Sequence, residues 1–113
     1  MALYYELPIY KDTYQLVMQV FRLTRNFSRE YKYTIGQDIK KDSMEMVRHI
    51  FKANSTNDKG PHLQNMYDTL EVVKLQLRIC VDMRLISPKQ QSDIWLLVDS
   101  IGRQLMGWKN KMK

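Results

Sequence analysis

Apolar residues recur along this chain at spacings of three and four, the repeat of an α-helix with one buried face. Four segments carry the pattern. In the first, residues 8–25, the positions Tyr10, Tyr14, Val17, Phe21 and Thr24 follow one another at 4, 3, 4 and 3. Leu16, Val20 and Leu23 form a second stripe beside them, so the apolar face is wider than one partner helix needs. Pro8 suits a first turn, where its missing amide donor costs nothing. Asn26-Phe27-Ser28 then interrupts the periodicity.

The second helix is expected over residues 31–53, beginning between Ser28 and Thr34. Ser28 is one candidate cap; Thr34 is another, with Gln37 three residues on in the manner of a capping box. Ile35, Ile39, Ser43, Met46, Ile50 and Ala53 share a face that Val47 and Phe51 widen. Gly36 signals close backbone packing or a late helix start. The polar, turn-rich run 54–61 is a loop.

A third helix, residues 63–84, aligns Leu63, Met66, Leu70, Val73, Leu77 and Cys80, with Val72, Leu75, Ile79 and Met83 on a neighbouring face. Ser87 before Pro88 is a cap followed by a first-turn proline. The fourth helix, residues 88–111, carries Ile94, Val98, Ile101, Leu105, Trp108 and Met112 at 4, 3, 4, 3 and 4. Gly102 and Gly107 allow close approach or fraying there. Four helices with short links imply an all-α fold: an antiparallel, up-down-up-down four-helix bundle, one domain over residues 1–113.

Composition agrees. Four glycines and three prolines among 113 residues are too few for the turns of an all-β domain. The single cysteine, Cys80, sits among Leu77, Ile79 and Val81 and is expected to be a small buried hydrophobe. No segment approaches the roughly 20 apolar residues of a membrane span. The stretch Met1-Ala2-Leu3-Tyr4-Tyr5-Glu6 lacks the basic and apolar regions of a secretion signal, so no membrane partner and a cytoplasmic location are expected.

The chain carries a formal net charge of +6, a balance that attracts nucleic acid, an acidic protein or an anionic surface. Residues 84–113 alone hold +4, while residues 63–83 hold −1. Arg103, Lys109, Lys111 and Lys113 therefore suit phosphate contact, although cations at a helix C-terminus also complement the helix dipole. Seven tyrosines, three phenylalanines and two tryptophans add aromatic surface. Rings interleaved with cations, as at Tyr31-Lys32-Tyr33, can stack bases, but wide apolar arcs on the first and third helices favour subunit contacts.

Catalytic chemistry finds little support. His49 and His62 are the only histidines and have no ligand-spaced partner. Asp38, Asp42 and Glu45 recur at helical spacing, but Lys41, Arg48 and Lys52 interleave with them. Asp38–Lys41 and Glu45–Arg48 are expected as pairs on a solvated face. There is no phosphate-binding glycine loop and no nucleophile elbow. No catalytic residue, metal or cofactor is expected.

The run Asn26-Phe27-Ser28-Arg29-Glu30-Tyr31-Lys32-Tyr33-Thr34-Ile35-Gly36-Gln37-Asp38-Ile39 resembles a helix junction in the four-helix-bundle family of ribosomal RNA intervening-sequence proteins. Residues 70–78 resemble that family's third helix, and residues 101–108 the end of its fourth. Tyr-Lys-Tyr at 31–33, Gln-Leu-Arg at 76–78 and Gly-Trp-Lys at 107–109 are most similar to its Avd-like branch, the accessory variability determinants of diversity-generating retroelements. Ser28 stands where the broader family often has proline. Ala53-Asn54-Ser55 replaces the family's Asn-Ile-Ala-Glu-Gly run, which separates the chain from the intervening-sequence members.

The resemblance implies a homopentameric barrel with a basic surface. It implies no catalysis, and binding to a retroelement reverse transcriptase and to RNA, with DNA a further candidate, during mutagenic copying of a template RNA. The residues expected to carry that surface are Lys40, Lys41, Arg48 and Lys52 on the second helix and Lys74 and Arg78 on the third. Arg84, Arg103, Lys109 and Lys111 complete the set. The competing expectation is a structural or protein-interaction bundle that binds no nucleic acid.

Overall fold

The computed structural model describes residues 3–111, so Met1, Ala2, Met112 and Lys113, with the readings placed on them above, lie outside the described residues. A short 3-10 turn, Tyr4–Glu6, leads into α1 (Pro8–Thr24). There follow a single-turn α2 (Arg29–Lys32), α3 (Ile35–Asn54), α4 (Gly60–Asp82) and α5 (Pro88–Lys111). The described residues are all-α, with four long helices and no strand. They form a body 43 Å long and 23 by 21 Å across.

The four long helices sit at the corners of a square: α1 touches α3 and α5, and α4 touches the same two. Polar contacts pin the pairings. Asp12 Oδ2 on α1 accepts from Ser100 Oγ and Gln104 Nε2 on α5, both at 2.7 Å. Gln76 Nε2 on α4 donates to Asp42 Oδ2 on α3 at 2.8 Å, and His49 Nε2 lies 3.3 Å from Thr69 Oγ1. Lys109 Nζ donates to Gln64 Oε1 across α5 and α4.

The seams of α3, α4 and α5 lie where their spacing placed them. Ile39, Met46, Ile50, Leu63, Met66, Leu70, Leu77, Ile94, Ile101 and Leu105 are buried together in one core. Trp108 packs against it half-buried. The expected seam of α1 is displaced. Ile9, Thr13, Leu16, Val20 and Thr24 are the buried positions, while Tyr14 and Phe21 are exposed. Thr13, a polar residue in the buried row, disguises that seam in the sequence. Thr24 solves its burial by donating from Oγ1 to the Val20 carbonyl at 2.8 Å. Thr13 Oγ1 is buried with no partner. The second stripe of α4, Val72, Leu75, Ile79 and Met83, faces outward.

Helix ends differ from expectation in instructive ways. The second helix is divided, because Tyr33 and Thr34 leave helical geometry. Neither Ser28 nor Thr34 caps with its side chain; Thr34 Oγ1 instead donates back to the Glu30 carbonyl at 2.8 Å. Gly36 is buried there, and a Cβ on it would come 3.0 Å from the Tyr31 carbonyl oxygen. Close packing is therefore the reason for glycine at that point. Helix α4 starts at Gly60, earlier than the spacing suggested, because Pro61 is tolerated in a first turn. At α5, Ser87 Oγ accepts from Gln90 N at 3.1 Å and Gln90 Oε1 accepts from Ser87 N at 2.8 Å, a reciprocal cap.

Three outcomes follow. Thr13→Val removes an unpaired buried hydroxyl at nearly constant volume and is expected to stabilise the fold by about 1 kcal/mol in urea unfolding. Gly36→Ala is expected to destabilise by about 1–2 kcal/mol, since backbone must move to admit the methyl. The third concerns pH. Burial lowers the His49 pKa from 6.5, with help from Lys52, His62 and Arg48 and against the pull of Glu45. The neutral ring is thus the form the fold prefers. Its stabilisation is present above pH 6.5 and is lost as pH falls through the lower folded value. A His49→Gln variant should show a flatter dependence of unfolding midpoint on pH between 7.5 and 5, read by circular dichroism.

Candidate nucleic-acid interface

The cations expected to form one surface are spread along the bundle. Because α5 runs along the body, the cations of residues 84–111 are divided between its two ends. Lys109, Lys111 and Lys52 belong to one end, where α3 finishes and α4 begins; Arg84, Arg78, Lys40 and Lys41 belong to the other half. Arg48, Lys74 and Arg103 lie between.

Their charges are also committed to different degrees. Arg48 pairs with Glu45 at 3.7 Å, Lys74 with Glu71 at 3.1 Å, Arg78 with Asp82 at 3.4 Å and Arg103 with Asp99 at 2.6 Å. Each of these is a pair within one exposed helix face, of the kind worth little to stability. Lys40 Nζ rests 5.5 Å from the Phe21 ring centre, and Lys109 Nζ 4.9 Å from that of Tyr67. Lys41, Lys52, Arg84 and Lys111 are exposed and make no ion pair among the described residues. The expected Asp38–Lys41 pair does not form.

A group that sequence reasoning did not single out is more concentrated. Arg22, Arg25, Arg29 and Lys32 follow one another through the end of α1 and through α2, and none makes an ion pair among the described residues. They share their end of the body with Arg84. What holds the two chain segments together is a small apolar plug of Phe27, Cys80 and Ile86, closed by Leu23, Tyr31, Ile35, Val81 and Leu85. Arg25 and Arg29 flank Phe27 in the chain, and Arg84 stands two residues before Ile86. The cations therefore rim the plug. Nearby carboxylates are Glu30, Asp38, Asp82 and Asp93, of which Asp82 and Asp93 are held by Arg78 and Lys89.

Arg84 has an unusual backbone. Its φ is 60°, the left-handed region that favours glycine. It terminates α4 in a Schellman turn, with Leu85 N donating to the Cys80 carbonyl at 2.8 Å and Arg84 N to that of Val81 at 3.0 Å. An arginine in this place costs about 1 kcal/mol relative to glycine. The four cations Arg22, Arg25, Arg29 and Lys32 were detectable in the sequence as clustered charge. Their meeting with Arg84 was not, since more than fifty residues separate them.

Nothing in the described residues assembles metal-ligating side chains into a group of three or more. Asp42 of the acidic row bonds Gln76 and Glu45 bonds Arg48. Burial pushes the Cys80 thiol up to about 11, so it stays protonated at neutral pH and is a poor nucleophile. No described helix is long and apolar enough to cross a membrane.

No curated protein matches the chain. The family model described as bAvd-like matches residues 7–112, a span that takes in all four long helices, the apolar plug and its rim of cations. The chain belongs to the bAvd-like family.

Proposed function

We propose that this chain is a non-catalytic accessory protein of a diversity-generating retroelement. It assembles as a homopentameric barrel of antiparallel, up-down-up-down bundles. On a basic surface it holds RNA, with DNA as a second ligand, beside the element's reverse transcriptase while a template RNA is copied mutagenically. Family membership supports the accessory role. Asp42–Gln76 with His49–Thr69 supports opposite directions for α3 and α4, and Lys109–Gln64 with the approach of Gly102 to Leu70 supports them for α4 and α5, since numbers rise on one helix as they fall on its neighbour.

The observation that carries the nucleic-acid part is the rim of Arg22, Arg25, Arg29, Lys32 and Arg84, five cations without an ion pair among the described residues. A cation not neutralised by a neighbouring carboxylate is available to displace a counterion from a phosphate, which is the main source of affinity in such contacts. Arg48, Lys74, Arg78 and Arg103 must first give up a partner and contribute less.

Fluorescence anisotropy with a structured RNA tests this. An Arg25→Glu/Arg29→Glu variant is expected to bind at least about tenfold more weakly in low salt and to flatten the log–log salt slope by about 2. An Arg103→Glu variant should lose less. Undiminished binding by the double variant removes the rim from the interface. No salt-sensitive binding by the wild type leaves the plain protein-interaction bundle as the function. Arg84→Gly separates folding from binding: the turn gains about 1 kcal/mol of stability while RNA affinity falls. Retention of the neighbouring locus's reverse transcriptase on the tagged protein tests the other partner, and co-expression without retention counts against it.

A further inference from the structure

The α4/α5 flank carries a groove of about 730 Å³. Tyr67, Trp95 and Met106 wall it, and its floor passes over Gly102 and Gly107. The bundle itself does not need these glycines. A Cβ at Gly102 would meet only Leu70 Cδ2, at 3.8 Å, and one at Gly107 would meet nothing within 4 Å. Both lie within α5, where each glycine costs up to about 1 kcal/mol relative to alanine. Bare backbone at these two positions lets something outside the protomer approach more closely than a side chain would permit.

The chemistry of the groove narrows what that is. Its charges are spent on one another, Lys74 on Glu71 and Arg103 on Asp99. Trp95 and Met106 are 38% and 43% exposed. A surface whose lining cations are both paired, and whose exposed apolar side chains are Trp95 and Met106, suits uncharged rings better than phosphates; Lys109 stands at its edge over the Tyr67 ring.

The same chain supplies such rings on its opposite flank. Since α1 and α4 occupy opposite corners, the α1/α3 face looks away from the α4/α5 groove. Along it Tyr4 stands ring to ring with Tyr5 and Tyr10, each at 5.4 Å, and with Phe51 at 5.2 Å; Tyr10 continues to Tyr14 at 6.2 Å. Tyr5, Tyr14 and Phe51 remain 50%, 46% and 47% exposed. Packed rings lose little freedom when a partner covers them, which makes them effective contact residues.

We propose that the aromatic flank of one copy, through Tyr5, Tyr14 and Phe51, docks into the groove over Gly102 and Gly107 of the next copy. The inference rests on the assembly reading above and names its two surfaces. Each copy offers one ridge and one groove on different faces, so the contact is head-to-tail, which gives a ring where the rotation from copy to copy closes and an open chain where it does not.

Light scattering on two variants and their mixture tests it. Gly107→Leu fills the groove while adding a better helix former, so its helical circular-dichroism signal should be kept. Tyr14→Glu puts a charge on the exposed ridge. Each alone is expected to be a monomer where the wild type assembles. Mixed in equal amounts they should form a 1:1 dimer and stop, because only one intact ridge then meets one intact groove. A monomeric wild type overturns the assembly reading and this contact with it. An assembled wild type whose variants keep its size overturns the contact alone. Two monomeric variants that fail to pair overturn the head-to-tail arrangement. Loss of only the reverse transcriptase from a still-assembled Gly107→Leu protein gives the groove to that partner and likewise overturns the proposal.

Discussion

Four narrow apolar seams must close on one another before any other feature of this molecule can exist. Leu16, Met46, Leu70 and Ile101, one from each long helix, are withdrawn from water almost completely. Burying such a side chain contributes about 1.5–3 kcal/mol, and the layers above and below repeat the contact along the body. Most of the stability of such helices comes from packing an amphipathic face rather than from propensity. Specific direction comes from elsewhere. Apolar packing alone tolerates sliding by a turn, whereas the clamp of Asp12 by Ser100 and Gln104 and the bond from Gln76 to Asp42 accept one pairing only.

At one end the core gives way to the plug of Phe27, Cys80 and Ile86, which ties the α1–α3 junction to the α4–α5 turn. The plug has consequences beyond stability. It obliges the chain to reverse at Arg84 in left-handed geometry and brings that arginine to the same end as Arg22, Arg25, Arg29 and Lys32. None of these five makes an ion pair among the described residues, although Glu30 and Asp38 stand nearby. The fold thus leaves unpaired positive charge at the surface we propose for phosphate contact. Elsewhere the opposite policy holds: each long exposed face of α3, α4 and α5 sets a carboxylate three or four residues from a cation.

The two flanks differ in the same deliberate way. One is a convex row of tyrosine rings over α1 and α3; the other is a concave strip over α5 backbone. The apolar residues that exceed the needs of one core are therefore sorted by side, with the outward row Val72, Leu75, Ile79 and Met83 as a further uncovered strip on α4.

The sequence by itself determined the all-α class, the family, and the seams of α3, α4 and α5, because the 3–4 spacing of apolar residues is longest and most regular along those seams. It also determined the cap at Ser87 and the inert setting of Cys80. Where two stripes competed, it misled: on α1 the rings of Tyr14 and Phe21 are the more apolar in composition. The core took Ile9, Thr13, Leu16, Val20 and Thr24, because those smaller side chains let α3 and α5 approach. Only the tertiary structure decided which cations act together. A charge run along one helix is a local property and can be read from the chain. Whether that run meets Arg84, or is cancelled by a carboxylate one turn away, depends on rotamers and on contacts between residues far apart. The same holds for Gly102 and Gly107. Their spacing is visible in the sequence, but their lack of any internal reason appears only when the neighbouring helix is in place and leaves the space above them open.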